Sequence, residues 1–258
     1  NQGKRLPLTP MVMLSLEKES IPRWNKFLQG YYDRSGIGVD SFDQAIAFDR
    51  QGRATLTKLM KQKGIMLSQS VSPSIFYFGF NMLDDVVGGL DEKHRKLRQA
   101  IAIALDQEEY IHIFLNGRGV ASQGPLPPGM VGYSSDYNPY VYEKVDGQVR
   151  RKSIQDARAL LKQAGYPNGI DPKTRQPLIL NYDVAGSQGP DDRARFDWMR
   201  KRFARLGIDL NVRSTLYNRF QEKMRQGQAQ IFSWGWNADY PDAENFLFLL
   251  YGPNGKAR

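Results

Sequence analysis

The chain has 258 residues, of which 41% are hydrophobic and 12% aromatic, as is typical of a folded globular protein. Cysteine is absent, which excludes disulfides, thiolate metal sites and cysteine nucleophiles. The formal net charge is +9, but the basic residues are scattered and no nucleic-acid-binding motif accompanies them. A nucleic-acid-binding module is therefore a distant alternative, and no apolar run is long enough for a transmembrane helix.

The N-terminal part of the chain predicts strands and helices in alternation. Residues 10–17 are predicted as a buried strand, and residues 21–33 as an amphipathic helix. The apolar face of that helix is formed by Trp24, Phe27, Leu28 and Tyr31. Residues 54–64 predict a second helix, and residues 65–82 are rich in β-branched and aromatic side chains and predict one or two strands.

The middle of the chain is predominantly helical in its pattern. Residues 94–106 show the strongest helical periodicity, and residues 107–117 predict a helix that ends at Asn-Gly. Residues 118–140 are rich in proline and glycine and predict an irregular surface segment. Residues 153–169 begin with an acidic variant of the capping box, which indicates another helix.

The C-terminal part alternates strictly between strands and helices. The predicted strands are 178–184, 208–215 and 230–236, and the predicted helices are 191–206, 217–227 and 242–252. In helix 191–206 the apolar spacing places the Arg and Lys residues on a solvated face. Strands alternating with helices of this length indicate an α/β fold, with a mixed sheet flanked by helices.

The usual signatures of enzymes and cofactor sites are missing from the sequence. The two histidines, His94 and His112, have no metal-ligand partner at helical spacing. No dinucleotide fingerprint, phosphate-binding loop or nucleophile elbow is present. We therefore expect no enzymatic activity, no cofactor and no metal site.

One C-terminal segment, SWGWNADYPDAENFLFLL (233–250), combines aromatic and acidic residues. It places Trp234, Trp236, Asp239 and Tyr240 close together in a basic protein. From composition alone, two interpretations are open. The tryptophans belong to the core and Asp239 caps the following helix, or Asp239 and Trp236 form part of a ligand site.

Five motifs in fixed order carry a family resemblance. They are NMLDDVVGG, HRKLRQAIAIALD, LLKQAGYPNG, LGIDLNV and GWNADYPDAENFL. Their order, spacing and residue patterns over residues 75–250 resemble those of the family 5 extracellular solute-binding proteins, the peptide- and nickel-binding receptors of ABC importers. Residues 21–37 resemble a region of the oligopeptide-binding members. Each motif is weak alone, and their combination is specific.

The resemblance implies a class II periplasmic-binding-protein fold, in which two lobes close over the ligand by a hinge motion. The motifs all belong to the second lobe, so residues 1–258 are expected to form one α/β lobe of a longer receptor. The implied partners are a peptide or other small solute, an N-terminal lobe and a membrane permease, and the implied location is the periplasm. The absence of a signal-peptide pattern and of an initiating Met is consistent with a fragment.

The resemblance also implies a set of ligand-contacting residues. In peptide-binding members the Asp of the GW.AD motif accepts the ligand's α-ammonium, which carries over to Asp239, with Trp236, Asn237 and Ala238 beside it. Further positions expected to face the cleft are Tyr217, Tyr77, Phe78, Gly79 and Asp183. Strand alternation allows only one of Tyr77 and Phe78 on a given face.

The sequence departs from the family pattern in places that concern ligand recognition. Met224 stands where some tripeptide-type members carry an Arg for the ligand's C-terminus, so recognition of a carboxylate is in doubt. Asn237 replaces a small or sulfur-bearing residue, and Asp242-Ala243 replaces the usual Asp-Pro. Other members of the family bind ligands that are not peptides. The alternative ligand is therefore an oligosaccharide, an opine-like compound or a metal chelate.

Overall fold

The computed structural model describes residues 3, 5–186 and 189–255 of the chain. Backbone contacts divide it into two compact units, residues 1–69 with 114–116 and residues 70–113 with 117–258. Each unit has its own cluster of buried apolar side chains. Within the described part of the chain, no helix combines the length and apolar character needed to cross a bilayer.

The first unit is small and built from short elements. These are α1 (Ser20–Leu28), α2 (Phe42–Ala45), β1 (Ile46–Phe48), β2 (Ala54–Leu56) and α3 (Lys58–Gln62). Strands β1 and β2 pair as an antiparallel hairpin with Ile46 opposite Leu56. The buried cluster of this unit consists of Trp24, Phe42, Ala45, Ile46, Leu56 and Met60.

The structure corrects the predictions for this unit at three places. Residues 10–17 form no strand, and Leu14 is 93% exposed. A strand requires a neighbour that accepts its backbone hydrogen bonds, and no strand among residues 5–186 or 189–255 pairs with this segment. The predicted helix 54–64 starts as a strand, because pairing with β1 overrides its helical pattern. Helix 21–33 ends at Leu28, which leaves Tyr31 exposed.

The rest of the chain carries the larger set of elements. They are β3 (Ser74–Phe80), α4 (Glu92–Ala104), α5 (Gln107–Leu115), β4 (Tyr142–Val145), β5 (Gln148–Arg151), α6 (Ile154–Gln163), β6 (Ile179–Ala185), α7 (Pro190–Ala204), β7 (Asp209–Thr215), α8 (Tyr217–Arg225), β8 (Ile231–Asn237) and α9 (Glu244–Leu247). The predicted α/β alternation of the C-terminal part is therefore confirmed. The predicted helix 242–252 is shorter, since only α9 is α-helical and a 3-10 turn follows it.

Four strands of this unit form a mixed sheet in the order β3-β8-β6-β7. Strand β6 runs parallel to both β7 and β8, while β3 runs antiparallel to β8. Helices α4, α6 and α7 cover one face and bury a continuous apolar cluster with it. Helix α8 supplies the buried ring of Phe220, which contacts Trp234 and therefore lies on the other face.

Strands β4 and β5 form a hairpin that the sequence analysis missed. Asp146 and Gly147 occupy its turn with φ of 50° and 80°, the left-handed geometry that two-residue hairpins require. The Asp-Gly pair between two β-forming segments is a known hairpin signal. Its neighbour, segment 118–140, contains no helix or strand, as predicted.

Two glycine loops meet backbone to backbone beside the core. Gly169, after α6, and Gly207, after α7, both have positive φ, 76° and 78°. A Cβ on Gly207 would lie 2.1 Å from the carbonyl oxygen of Asn168, and one on Gly169 would lie 2.3 Å from the carbonyl oxygen of Gly207. No side chain fits between these loops, so the close approach itself requires glycine.

We expect Gly207→Ala to destabilise this unit more than Gly147→Ala. Both residues have positive φ, but a Cβ on Gly147 meets nothing within 4 Å. The backbone conformation alone costs roughly 1–2 kcal/mol with Ala, and the clash at Gly207 adds about 1–3 kcal/mol. Urea unfolding of the two variants measures the difference, and equal losses would contradict the close packing of the two loops.

Candidate functional site

The carboxyl ends of three strands meet at one edge of the sheet. Because β7 and β8 each run parallel to β6, Ala185, Thr215 and Asn237 end their strands on the same side. Helix α8 begins immediately beyond β7, at Tyr217, and Asp239 follows the end of β8 by two residues. We call this side of the sheet the carboxyl edge, because the carboxyl ends of the three strands meet there. Ligands of open α/β sheets bind at such an edge.

A buried amide fixes the backbone and the indole ring at this edge. Asn245 is 3% exposed, and its Oδ1 accepts hydrogen bonds from Trp236 Nε1 at 3.0 Å and from the Asp239 N–H at 2.9 Å. The Trp236 ring packs edge-on against Phe248, with 5.1 Å between ring centroids. Trp236 and the Asp239 backbone are therefore held in one arrangement.

The carboxylate of Asp239 remains exposed to solvent. Its contact with the described residues is a long one, 3.5 Å from Oδ2 to Asn245 Nδ2. The helix α9 has no side-chain cap, and the Glu244 N–H at its start donates to Asp242 Oδ1 at 2.8 Å. The structure therefore does not give Asp239 the capping role, and its carboxylate lies exposed at the carboxyl edge.

Asn237 and Ala238 tie the end of β8 to the start of β3. Asn237 Oδ1 accepts from Ser74 Oγ at 2.6 Å, and the Ala238 N–H donates to the Pro73 carbonyl at 2.9 Å. The Ala238 amide is therefore already engaged within the fold. Asn237 is exposed at the carboxyl edge, and no hydrogen bond from its amide nitrogen to another described residue is found.

Aromatic rings line the sheet face that carries α8. Tyr77 lies directly opposite Trp234 in the β3–β8 pair, and burial raises the pKa of Tyr77. Tyr217 and Phe220 of α8 stack edge-on against Trp234, at centroid distances of 6.4 and 5.1 Å. Tyr217 is 55% exposed, so it extends this aromatic face to solvent at the carboxyl edge.

Phe78 and Gly79 are placed away from the carboxyl edge. Phe78 points to the opposite face and packs in the apolar core, with its ring stacked 5.2 Å from Tyr182. Gly79 lies toward the other end of β3, where a Cβ would come within 2.5 Å of the Phe232 ring. Sequence alternation limited the choice to one of Tyr77 and Phe78, and the structure selects Tyr77 for the face beside Trp234.

Asp183 is a buried member of the sheet face under α8, in contrast to the predicted loop position. Strand β6 continues to Ala185, and Asp183 is 1% exposed. Its Oδ1 forms an ion pair with Lys223 of α8, while its Oδ2 has no hydrogen-bond partner among the described residues. Of the predicted loop 186–192, Ser187 and Gln188 lie outside the described residues. Asp183 therefore joins α8 to the sheet instead of beginning a loop, and its contact with a ligand stays a prediction.

Asn245 and Lys223 are residues that the sequence analysis did not single out. A polar Asn inside the apolar stretch of 244–250 was the signal for Asn245, because a buried amide in such a helix needs partners. Lys223 carried no comparable signal, since its partner is 40 residues away. No group of three or more metal-binding side chains occurs in the described part of the chain.

Residues 19–258 match the model of the bacterial extracellular solute-binding proteins, family 5 middle region. The chain belongs to this family. The dipeptide-binding protein of Escherichia coli is 24% identical over 202 residues, which is 77% of this chain and 33% of that protein. The heme-binding protein A of Haemophilus influenzae is 25% identical over 204 residues, again 77% and 33%. The chain thus spans about a third of the length of these family members.

Solved structures of other proteins share the fold of this chain. HbpA2 from Haemophilus parasuis has a TM-score of 0.65 at 22% identity, covering 94% of this chain and 42% of that one. OppA from Burkholderia pseudomallei has a TM-score of 0.65 at 19% identity, covering 92% and 41%. These are periplasmic binding proteins of the class II fold, so the predicted fold class is confirmed.

We expect Asn245→Ala to destabilise this family 5 chain and to loosen the carboxyl edge. The change leaves the Trp236 indole N–H and the Asp239 N–H without their shared acceptor. Loss of buried partners costs about 1–3 kcal/mol, and the indole N–H resonance of Trp236 should shift in NMR spectra. Asn254→Ala is the control, since Asn254 is exposed, and an unmoved indole signal in Asn245→Ala would contradict the assigned role.

Breaking the Asp183–Lys223 pair should cost more stability than replacing both partners. Lys223→Met leaves a buried carboxylate without its cation, which we expect to cost about 2 kcal/mol or more at neutral pH. The double variant Asp183→Leu with Lys223→Met should recover most of that loss, because an apolar pair needs no charge compensation. Chemical denaturation of the single and double variants measures the coupling, and additive losses would contradict it.

Proposed function

We propose that this chain is the ligand-binding lobe of a non-enzymatic receptor that captures peptides for an ABC importer. One observation carries the proposal: an exposed carboxylate, Asp239, stands beside the fixed indole of Trp236 at the carboxyl edge. The named binding specificities of relatives support the ligand class. They include the dipeptide-binding protein of Escherichia coli and the di/tripeptide-binding protein 2 of Pseudomonas aeruginosa.

The chemistry of Asp239 suits the α-ammonium of a peptide. A hydrogen bond between an ammonium group and a carboxylate is charge-assisted and stronger than a neutral one. Closure of a second lobe over the edge would lower the local dielectric and strengthen the attraction further. Because Asn245 already holds the Asp239 backbone, little ordering is needed when a ligand arrives.

The aromatic face next to this carboxylate suits ligands of varied sequence. Trp236 and Tyr217 offer broad apolar surfaces that pack against many side chains without specific hydrogen bonds. Asn237 adds one exposed amide at the same edge. A receptor for many peptides requires an anchor for the α-ammonium group of the ligand and pocket walls that do not select particular side chains.

A second candidate keeps the receptor but changes the ligand. Relatives of comparable identity include the heme-binding protein A of Haemophilus influenzae, and aromatic walls also suit sugar rings. Met224, in place of a cation for a ligand carboxylate, is compatible with this alternative. An oligosaccharide, an opine-like compound or a metal chelate is therefore the ligand class to examine if peptides fail.

The remaining parts of the proposal follow from the family. The receptor would be extracytoplasmic, most simply periplasmic, and would deliver its ligand to a membrane permease. A second lobe, supplied by sequence outside this chain, would close on the carboxyl edge. The chain alone should then bind weakly, because one wall of the site is missing.

The test is a thermal-shift screen of the two-lobe receptor with free and N-acetylated peptides. A ligand that binds only the folded state raises the melting temperature by mass action. We expect a shift with free peptides, none with acetylated ones, and a loss of about 1.5–3 kcal/mol of binding free energy in Asp239→Asn.

The matched control is Asp242→Asn, which removes the same charge three residues away but keeps a side-chain oxygen that can accept from the Glu244 N–H. It should bind peptides like the unaltered receptor. Equal shifts with acetylated peptides would refute the amine anchor, and no shift with either pool would move the ligand to the second candidate class.

A further inference from the structure

Strand β7 forms an outer edge of the four-stranded sheet, with β6 on one side only. The Asp209 N–H donates to the Leu178 carbonyl at 2.9 Å, and the Thr215 carbonyl accepts from the Gly186 N–H at 3.1 Å. Backbone groups along a strand alternate between its two sides. The N–H and C=O groups of Leu210 and Val212 therefore point away from β6, along the open edge.

A cleft of about 390 Å³ runs along this open edge, between β7 and α7. It is lined by Arg193, Phe196, Arg200, Val212, Arg213 and Ser214. Phe196 is buried and gives the cleft an apolar floor together with Val212. Two arginines of α7, Arg193 and Arg200, are among the lining residues, and none of the lining residues is acidic, so this cleft favours a negatively charged ligand.

The arginines of α7 are arranged to contact one extended segment. Arg193 and Arg200 are exposed and seven residues apart, which places them on the same side of the helix, about 10 Å apart along its axis. Arg200 pairs with Asp197 at 2.8 Å, but both side chains are largely exposed, and such a pair contributes little. Within the described residues, no carboxylate forms an ion pair with Arg193 or Arg213.

We propose that the β7 edge binds an extended acidic segment of a partner protein as an additional strand. The backbone of that segment would pair with Leu210 and Val212, and its carboxylates would bind Arg193 and Arg200. Strand addition supplies affinity through backbone hydrogen bonds, and the arginines supply selection for acidic side chains. This surface is independent of Asp239 and of the peptide-receptor proposal.

The edge favours an acidic polypeptide over a nucleic acid. Its lining offers one aromatic ring, that of Phe196, which is buried and therefore not available for stacking on a base. A nucleic acid binds mainly through its phosphates, which would leave the carbonyl groups of the β7 edge unpaired. An added strand instead forms hydrogen bonds with both the N–H and the C=O groups of that edge. The occupant is therefore an extended chain with carboxylates on alternating residues.

The probe is a fluorescent peptide of alternating Val and Glu with an acetylated N-terminus and an amidated C-terminus. Blocked ends remove the α-ammonium, so the probe cannot use the proposed anchor at Asp239. We expect the chain to bind it at low ionic strength by fluorescence anisotropy. Arg193→Gln combined with Arg200→Gln should weaken binding about tenfold or more, since two charge-assisted contacts are lost.

The matched control is Lys201→Gln combined with Arg205→Gln, which removes the same charge from exposed positions at the end of the same helix. It should reduce binding less than about threefold, through screened long-range attraction only. A peptide with Lys in place of Glu should not bind. Thermal unfolding confirms that both double variants remain folded.

Four results would overturn the proposal. The first is no binding of the acidic probe at low salt, and the second is equal weakening by the two double variants. The third is unchanged binding of a probe whose backbone is N-methylated at alternate residues, because that shows charge attraction without strand addition. The fourth is displacement of the probe by short duplex DNA as readily as by the unlabelled acidic peptide.

Discussion

The parallel pairing of β6 with both of its neighbours determines how the larger unit is built. Parallel strands cannot be joined by a tight turn, so the chain must cross a face of the sheet between them. Helix α7 makes the crossing between β6 and β7, and α8 makes the crossing between β7 and β8. One helix covers the core face and the other covers the aromatic face, so the central strand is buried on both sides. The same pairing collects three carboxyl ends at one edge, where the candidate site lies.

The two faces of the sheet differ in how they are held together. The core face is apolar, and burial there raises the pKa of Tyr182 to about 12. The opposite face carries polar cross-links, the Asp183–Lys223 pair and a 3.0 Å hydrogen bond between Asn211 and Asn181. Helix α8 is joined to this face both by the Asp183–Lys223 pair and by the packing of Phe220 on Trp234. These contacts position α8 and therefore also Tyr217, which begins it at the carboxyl edge.

The sequence predicts an element well where the contacts that fix it join residues close together in the chain, and poorly where they join distant residues. The helix beginning at Ser153 was predictable because its capping box with Asp156 involves four consecutive residues, and both hydrogen bonds form. The role of Asp183 was not, because the strand end and the Lys223 partner are fixed by tertiary packing. Residues 10–17 have the apolar content of a strand, but strand formation depends on a neighbour that local pattern does not reveal.

The arrangement of residues at the candidate site was predictable in part. Family wording selected Asp239 and Trp236, and the structure brings both to the carboxyl edge through Asn245. The sequence signalled that the Asn245 amide needs partners but not which ones, since its two hydrogen bonds depend on the fold between β8 and α9. For Phe78 the sequence was insufficient. Alternation shows that Tyr77 and Phe78 lie on opposite faces of β3, but it does not show that the face of Phe78 is the core.

The carboxyl edge and the β7 edge carry opposite charge on the same sheet. The carboxyl edge presents Asp239, and the β7 edge presents Arg193 and Arg200. Under the two proposals, a ligand with a free amine would bind at the first edge and an acidic chain at the second, and their opposite charges would keep the two kinds of partner apart. The separation has a structural basis as well. At the carboxyl edge the nearby amides of Ala238 and Asp239 are engaged within the fold, which leaves side chains to make the contacts. Along β7 the backbone of Leu210 and Val212 points outward, which leaves main-chain groups to make them. If both proposals hold, one sheet would recognise a ligand through side chains at one edge and a partner through its backbone at the other.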